Sequence, residues 1–106
     1  MLEKVANSFD IKYCRLDGNT AMSERMKIVN DFNSKISHTQ ILFLSNKAGG
    51  VGLNLVGAST MILFDPDWNP ANDLQAIGRI WRPGQLGNTR VYRFVVKVKN
   101  LYFLEF

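Results

Sequence analysis

The sequence predicts a single α/β domain with a mostly parallel sheet. Two apolar runs, at residues 41–44 and 60–64, have the length of strands buried on both faces of such a sheet. Segments with helical spacing of their apolar residues lie before and after these runs. Strands that alternate with helices favour a parallel sheet, in which ligands bind at the loops beyond the carboxyl ends of the strands.

The first half of the chain is predicted to contain, in order, a helix, a strand, a second helix and a second strand, at residues 1–9, 11–16, about 20–32 and 41–44. Thr20 or Ser23 can cap the second helix with a hydroxyl oxygen. The inner face of that helix is expected to carry four apolar side chains at helical intervals: Met22, Met26, Val29 and Phe32.

The second half is predicted to contain a strand at 60–64, a helix from Asn69 to Gln85 and a last strand at 89–96. Asn69 can cap this helix, and Pro70 suits its first turn because the N–H that proline lacks would have no partner there. Asp73 would place a negative charge near the positive end of the helix dipole. Pro83 and the glycine after it are expected to end the helix.

The predicted helix carries two stripes. An apolar stripe of Leu74, Ile77 and Trp81 should face the core. A polar stripe of Gln75, Arg79 and Arg82 lies at i, i+4 and i+7. Two planar guanidinium groups held on one side suit a phosphate, which accepts paired hydrogen bonds from arginine. A solvated basic face is the alternative explanation of the polar stripe.

A glycine loop (residues 45–55) follows the strand at 41–44, with three glycines among four positions, at Gly49, Gly50 and Gly52. Glycine lets the main chain approach a ligand closely and turn its N–H groups toward an anion. The loop lacks the ending of a Walker A motif and the third glycine of a dinucleotide fingerprint. A tight connection that needs glycine only for its geometry is the alternative.

Charge and cysteine content limit the possible functions. The net charge is +4, and no acidic residue lies between Asp73 and Glu105, whereas this stretch has six basic ones. Such a segment is typical of a polyanion partner, either nucleic acid or nucleotide phosphate. The single cysteine, Cys14, excludes an internal disulfide, favours a reducing compartment and is expected in the core. The single His38 is expected at the surface, and no apolar run is long enough to span a membrane.

Three blocks together resemble the second RecA-like lobe of the Swi/Snf helicase-like ATPases. The blocks are Arg15–Gly18 with Arg25 and Phe32-Asn33, then motif V at 47–55, then motif VI at 75–85. The intervening segment 64–73 is most similar to the homologous-recombination DNA translocase branch (Rad fifty-four type). The resemblance covers residues 1–96 and implies a RecA-like lobe without its first strand, followed by a divergent tail at 97–106.

The resemblance implies roles for individual residues on the nucleotide side. Arg79 and Arg82 would be motif VI arginines that reach ATP, with Arg82 the better candidate for an arginine finger. Gln75 would orient this cluster. Gly50 and Gly52 would allow the motif V loop to approach its ligand closely. ATP with Mg²⁺ would be bound mostly by a first RecA-like lobe, which this sequence lacks.

The resemblance also implies a DNA side. Ser45, Asn46 and Lys47 would lie near the backbone of double-stranded DNA, so binding should be independent of sequence and sensitive to salt. Trp68 would either contact DNA or pack against the following helix. Implied partners are DNA, the first lobe and either a recombinase or nucleosomes, with no membrane, and the implied location is the nucleus.

Two functions from different classes therefore remain open. The first is one lobe of an ATP-dependent DNA translocase, for which the fragment alone is expected to be inactive and marginally stable. The second is a stand-alone, non-catalytic nucleic-acid-binding module. A dinucleotide-binding protein is disfavoured by the failed glycine pattern. Repair and chromatin remodelling both remain possible, because Pro83 stands where the repair branch usually has aspartate.

Overall fold

The computed structural model describes residues 1–45, 53–64 and 69–94. The described residues contain both helices and parallel strands, as predicted for an α/β fold. The elements are α1 (Leu2–Ser8), β1 (Tyr13–Leu16), α2 (Met22–Asn33), β2 (Ile41–Leu44), β3 (Thr60–Leu63), α3 (Pro70–Ile77) and β4 (Arg90–Arg93). Within these residues, no helix is long and apolar enough to cross a membrane.

The four strands form two parallel pairs. β1 pairs with β2, with Tyr13 opposite Ile41, and β3 pairs with β4, with Thr60 opposite Arg90. Parallel strands end at the same edge of a sheet. The ends of β1 and β2 therefore lie side by side, and the N–H of Ser45, the residue after β2, donates to the carbonyl of Leu16 at the end of β1 at 3.2 Å.

Among the described residues, the hydrophobic core cluster draws its four buried side chains from four separate segments. Leu16 comes from β1, Val29 from α2, Leu55 from the end of the glycine loop and Ile80 from the turn after α3. Each fully buried aliphatic side chain contributes about 1.5–3 kcal/mol relative to an exposed one. Seven partly buried residues pack around these four: Ile28, Phe32, Leu42, Leu44, Leu53, Ala58 and Met61.

Burial along the elements is shallower than the sequence predicts. β2 is half-buried rather than buried on both faces, and β3 alternates between exposed and half-buried residues. On α2, Val29 is buried as expected, but Met22 and Met26 are exposed. The core lies beneath the last turns of α2, so the first turn does not reach it. Periodicity therefore identifies the inward face of an element but not how much of its length is covered.

The single histidine lies where the sequence predicts, whereas the single cysteine does not. His38 is exposed, as predicted. Cys14 is half-buried rather than in the core, and its Sγ lies 3.5 Å from the hydroxyl of Thr39. Cys14 lies on the same face of β1 as Leu16, two residues later, but Leu16 at the end of the strand takes the fully buried site.

The predicted cap of α2 is wrong. The N-cap is Ala21, which has no side-chain acceptor, and Ser23 lies inside the helix. The hydroxyl of Thr20 instead accepts from the N–H of Asp17 at 3.1 Å, within the turn that follows β1. Arg25 donates from Nε to the carbonyl of Thr20 at 2.9 Å. The turn therefore uses the hydroxyl that the sequence assigns to the helix.

Candidate functional site

Helix α3 begins where the sequence predicts and ends earlier. Asn69 Oδ1 accepts from the N–H of Ala71 at 3.1 Å, and Pro70 lies in the first turn. The helix stops at Ile77 rather than continuing to Gln85. In a continuous helix the carbonyl of Arg79 would need the N–H of residue 83, which is a proline and has none. The chain therefore leaves the helix before this carbonyl would lack a partner.

The side chains of this segment that face the core differ from the predicted ones. Ile80 is 1% exposed, whereas Leu74 is 66% and Trp81 73% exposed. The predicted apolar face of Leu74, Ile77 and Trp81 is therefore wrong for its first and last members. The turns after Ile77 keep helical spacing, since the N–H of Trp81 donates to the carbonyl of Ile77 at 3.0 Å. The inward side chains are Asp73, Ile77 and Ile80, so the first and last lie one residue before the predicted ones.

The end of the glycine loop is bonded directly to the arginine segment (residues 75–85). The N–H of Leu55 donates to the carbonyl of Arg79 at 2.9 Å. This bond supplies the partner that Pro83 cannot provide. Leu55 and Ile80, on either side of it, are both buried in the core. The main chain of Arg79 is therefore held by a tertiary hydrogen bond at its carbonyl, in addition to the turn hydrogen bond from its N–H to the carbonyl of Ala76 at 3.1 Å.

Gln85, at the other end of the arginine segment, makes a second contact with the chain that follows the glycine loop. Its Nε2 donates to the carbonyl of Ala58 at 2.7 Å and to that of Ile80 at 3.1 Å. Its Oε1 accepts from the N–H of Gly87 at 3.0 Å. One side chain thus joins the chain after the glycine loop to the arginine segment. The sequence marks Gln85 only as the last residue of a family block and gives it no role.

Asn33, the last residue of α2, is hydrogen-bonded to the chain both before and after Leu55. Its Nδ2 donates to the carbonyl of Asn54 at 2.7 Å, and its Oδ1 accepts from the N–H of Gly57 at 2.8 Å. Both ends of the carboxamide are therefore engaged with the stretch that contains Leu55. The sequence marks Asn33 as part of the first family block, again without a role.

The three polar residues of the predicted stripe lie in different settings. Gln75 is exposed on α3, while Arg79 and Arg82 are half-buried beyond its end. Burial lowers the pKa of the Arg79 guanidinium below its ordinary value. Arg82 lines an open groove of about 530 Å³ together with Trp81. Since the helix ends at Ile77, a common helical face does not align the three side chains.

The remaining predicted site residues are only partly described. Ser45 is exposed at the carboxyl end of β2, where the sequence places a DNA contact. The other five lie outside the described residues: Asn46, Lys47, Gly50, Gly52 and Trp68. In the ranges 1–45, 53–64 and 69–94, no group of three or more histidine, cysteine or acidic side chains could hold a metal ion.

Asp73 has a partner that the sequence analysis does not identify. It is 6% exposed, and its Oδ2 lies 3.2 Å from Nη2 of Arg93. The sequence assigns Asp73 to the helix dipole and Arg93 to a general basic segment. The pair instead links the first turn of α3 to the end of β4, and thereby locates the helix that leads into the arginine segment.

Known proteins match this chain in sequence and in fold. Residues 1–84 match the family model of the helicase conserved C-terminal domain. The chain is 54% identical over 95 residues to the DNA repair and recombination protein RAD54B of Gallus gallus, covering 90% of this chain and 10% of that protein. It is 55% identical over 83 residues to the DNA repair and recombination protein RAD54 of Oryza sativa subsp. japonica, covering 78% of this chain and 8% of that protein.

A solved structure agrees with these matches. The C-terminal part of the Fun30 ATPase domain superposes with a TM-score of 0.80 at 39% identity, covering 87% of this chain and 29% of that one. The chain spans about a tenth of the length of the curated relatives it matches. Its helices and two parallel strand pairs agree with the helicase C-terminal lobe that the sequence resembles. The chain belongs to the helicase conserved C-terminal domain family, in the RAD54-type branch of the Swi/Snf helicase-like ATPases.

Proposed function

We propose that this chain is the second motor lobe of an ATP-dependent translocase that moves on double-stranded DNA. The observation that carries the proposal is the hydrogen bond from the N–H of Leu55 to the carbonyl of Arg79. It joins the end of the loop proposed to face DNA to the segment proposed to face the nucleotide. A displacement of either segment is therefore transmitted to the other, and a motor lobe requires such coupling between its DNA side and its nucleotide side.

On the nucleotide side, Arg79 and Arg82 are the residues proposed to contact ATP. The donor set suits the ligand, since guanidinium groups pair with phosphate oxygens and remain charged at neutral pH. When bound between two lobes, ATP with Mg²⁺ supplies the phosphoryl group whose transfer to water releases energy. A positioned arginine stabilises the charge that develops on the phosphoryl oxygens. Gln75 is proposed to orient the pair, and Gly50 and Gly52 to allow close approach of the glycine loop.

On the DNA side, Ser45, Asn46 and Lys47 are proposed to contact the phosphate backbone, with Trp68 either beside them or packed within the lobe. These contacts would be independent of sequence and weakened by salt. The relatives are named for DNA repair and recombination. We therefore propose a nuclear protein that acts on DNA with a recombinase or on nucleosomes, in which residues 1–96 form the lobe and 97–106 diverge from it.

The test is ATP hydrolysis by the full-length protein that carries this lobe, measured with and without double-stranded DNA. Loss of an arginine finger lowers turnover by about 10³-fold or more, so Arg82→Ala should reduce the DNA-stimulated rate by at least that factor. Lys27→Ala removes one exposed charge from α2 and serves as the control. Wild-type turnover in Arg82→Ala would contradict the assignment of Arg82.

The 106-residue chain alone separates the two open functions. We expect it neither to bind ATP tightly nor to hydrolyse it, because most of the ATP ligands belong to the first lobe. Salt-dependent DNA binding by this chain, with no gain when a first lobe is added, would favour a stand-alone nucleic-acid-binding module. A gain in DNA-stimulated turnover when the first lobe is added would support the motor.

A further inference from the structure

The carboxamide of Asn33 joins two parts of the chain that are distant in sequence. It spans 21 residues to reach the carbonyl of Asn54 and 24 residues to reach the N–H of Gly57. The donor and the acceptor of one amide are therefore both used on a single four-residue stretch, 54–57. A shift of this stretch relative to the end of α2 would break two hydrogen bonds together.

The fit between α2 and this stretch is close. An added Cβ on Gly57 would lie 2.7 Å from Asn33 Cα and 2.8 Å from the carbonyl oxygen of Phe32. These main-chain atoms at the end of α2 leave no room for a side chain. The stretch is thus held against the last turn of α2 by shape as well as by hydrogen bonds.

The same stretch determines the position of Arg79. Leu55, in its middle, donates its N–H to the carbonyl of Arg79 at 2.9 Å. Leu55 is also buried against Ile80, the residue after Arg79. A continuous path therefore runs from the carboxamide of Asn33, through 54–57, to the main chain of Arg79. Every step on this path is a hydrogen bond or a buried contact.

We infer that Asn33 is a positioning residue for Arg79, which it holds in place through the stretch 54–57. The inference rests on the proposed function, since Arg79 is taken to face the nucleotide. It goes beyond the sequence resemblance, which attaches no role to Asn33. A movement of α2 is transmitted by this path to an arginine in the arginine segment, and a movement of Arg79 is transmitted back.

The first test is amide-resolved hydrogen exchange in the full-length protein, comparing wild type with Asn33→Ala. The decisive amide is that of Leu55, whose partner is Arg79 and not Asn33. Weakening its hydrogen bond by the ordinary net value should speed its exchange about tenfold. Amides of β1 should keep their rates within about twofold, because β1 is not on the path. Asn33→Asp keeps an acceptor for Gly57 but turns a carboxylate oxygen toward the carbonyl of Asn54, so it should also speed exchange at Leu55.

Two exchange results would overturn the inference. One is an unchanged rate at Leu55, which would mean that the stretch is held without Asn33. The other is an equal acceleration at Leu55 and β1, which would mean that the substitution only loosens the whole lobe. Asn30→Ala, at an exposed site on the same helix, controls for changes in helix stability.

The second test is the split between kcat and KM for ATP in DNA-stimulated hydrolysis. A misplaced arginine should lower kcat by about 10- to 100-fold with a smaller change in KM. A merely structural role would lower kcat only as far as the folded fraction falls, in step with the melting temperature. Absence of DNA-stimulated hydrolysis in the wild type would refute the proposed function, while the exchange result would still decide whether Asn33 positions Arg79.

Discussion

Replacing Gly57 with alanine should destabilise this lobe, although most such replacements at ordinary backbone angles are harmless. The added Cβ would lie 2.7 Å from Asn33 Cα, 2.8 Å from the carbonyl oxygen of Phe32 and 2.9 Å from Asn33 Oδ1. Two of these three atoms belong to the main chain at the end of α2. They cannot rotate away as the tip of a flexible side chain could, so the stretch 54–57 or the helix end must move.

The size of the effect follows from two opposing terms. Overpacking of this kind costs about 1–3 kcal/mol. Alanine restricts the unfolded chain more than glycine does, which returns about 0.4–1 kcal/mol. The net loss should therefore be about 1–2 kcal/mol of unfolding free energy. For a domain of this size, that loss corresponds to a fall in Tm of very roughly 5–15 °C.

Gly18→Ala is the matched control, because an added Cβ there meets nothing within 4 Å. Its stability should stay within about 0.5 kcal/mol of wild type. Urea unfolding of wild type and both variants, followed by circular dichroism, measures the difference. Equal stability of Gly57→Ala and Gly18→Ala would refute the reasoning, because the spatial argument predicts a loss at only one of the two positions.

Three further predictions concern hydrogen bonds and charges. Gln85→Glu should lower the free energy of unfolding by about 1–3 kcal/mol at neutral pH, because a carboxylate would face two carbonyl oxygens. This loss should shrink as the pH falls, since the protonated side chain can again donate a hydrogen bond, and a loss independent of pH in urea titrations would contradict the prediction. Arg93→Ala should lower the free energy of unfolding by about 1 kcal/mol, because it removes this cation from the buried Asp73, while the half-exposed position of Arg93 keeps the effect small. In a double-mutant cycle, the same change made in Asp73→Asn should have no effect. The N–H of Asn19 lowers the pKa of Asp17 below its ordinary 3.8, as do Arg15 and the Thr20 hydroxyl. This contribution to stability is therefore present above about pH 4 and is lost as the pH falls through the lower folded value; a difference in stability between wild type and Asp17→Asn that does not shrink on acidification would be the contrary result.

The boundaries of α3 show what local sequence can and cannot predict. Its start depends on Asn69 and Pro70, whose effects act within one turn, and the structure confirms it. Its end depends on where the carbonyl of Arg79 finds a donor. Pro83 indicates that a donor is missing, but the donor that replaces it, the N–H of Leu55, is distant in sequence. Spacing within one segment cannot identify such a partner.

The same reasoning explains the unpredicted residues of the candidate site. Asn33 and Gln85 act through hydrogen bonds between side chain and main chain that span 21 to 27 residues. Neither residue has an unusual local pattern, so composition and periodicity give them no role. The family resemblance identifies the blocks that contain them, whereas their contacts can be seen only once the chain is folded. The sequence identifies Arg79 and Arg82 by their helical spacing. In the structure, the hydrogen bond from Leu55 positions the main chain of Arg79.

The core has a consequence for how this lobe unfolds. Its buried side chains, at positions 16, 29, 55 and 80, come one each from four segments spread along the chain. No two neighbouring segments can assemble the core alone, so its formation depends on contacts between residues far apart in sequence, which slows folding. Loss of any one segment removes a quarter of the buried cluster and uncovers the rest. We expect the glycine loop end and the arginine segment to unfold as one cooperative unit, so that the lobe keeps or loses both together.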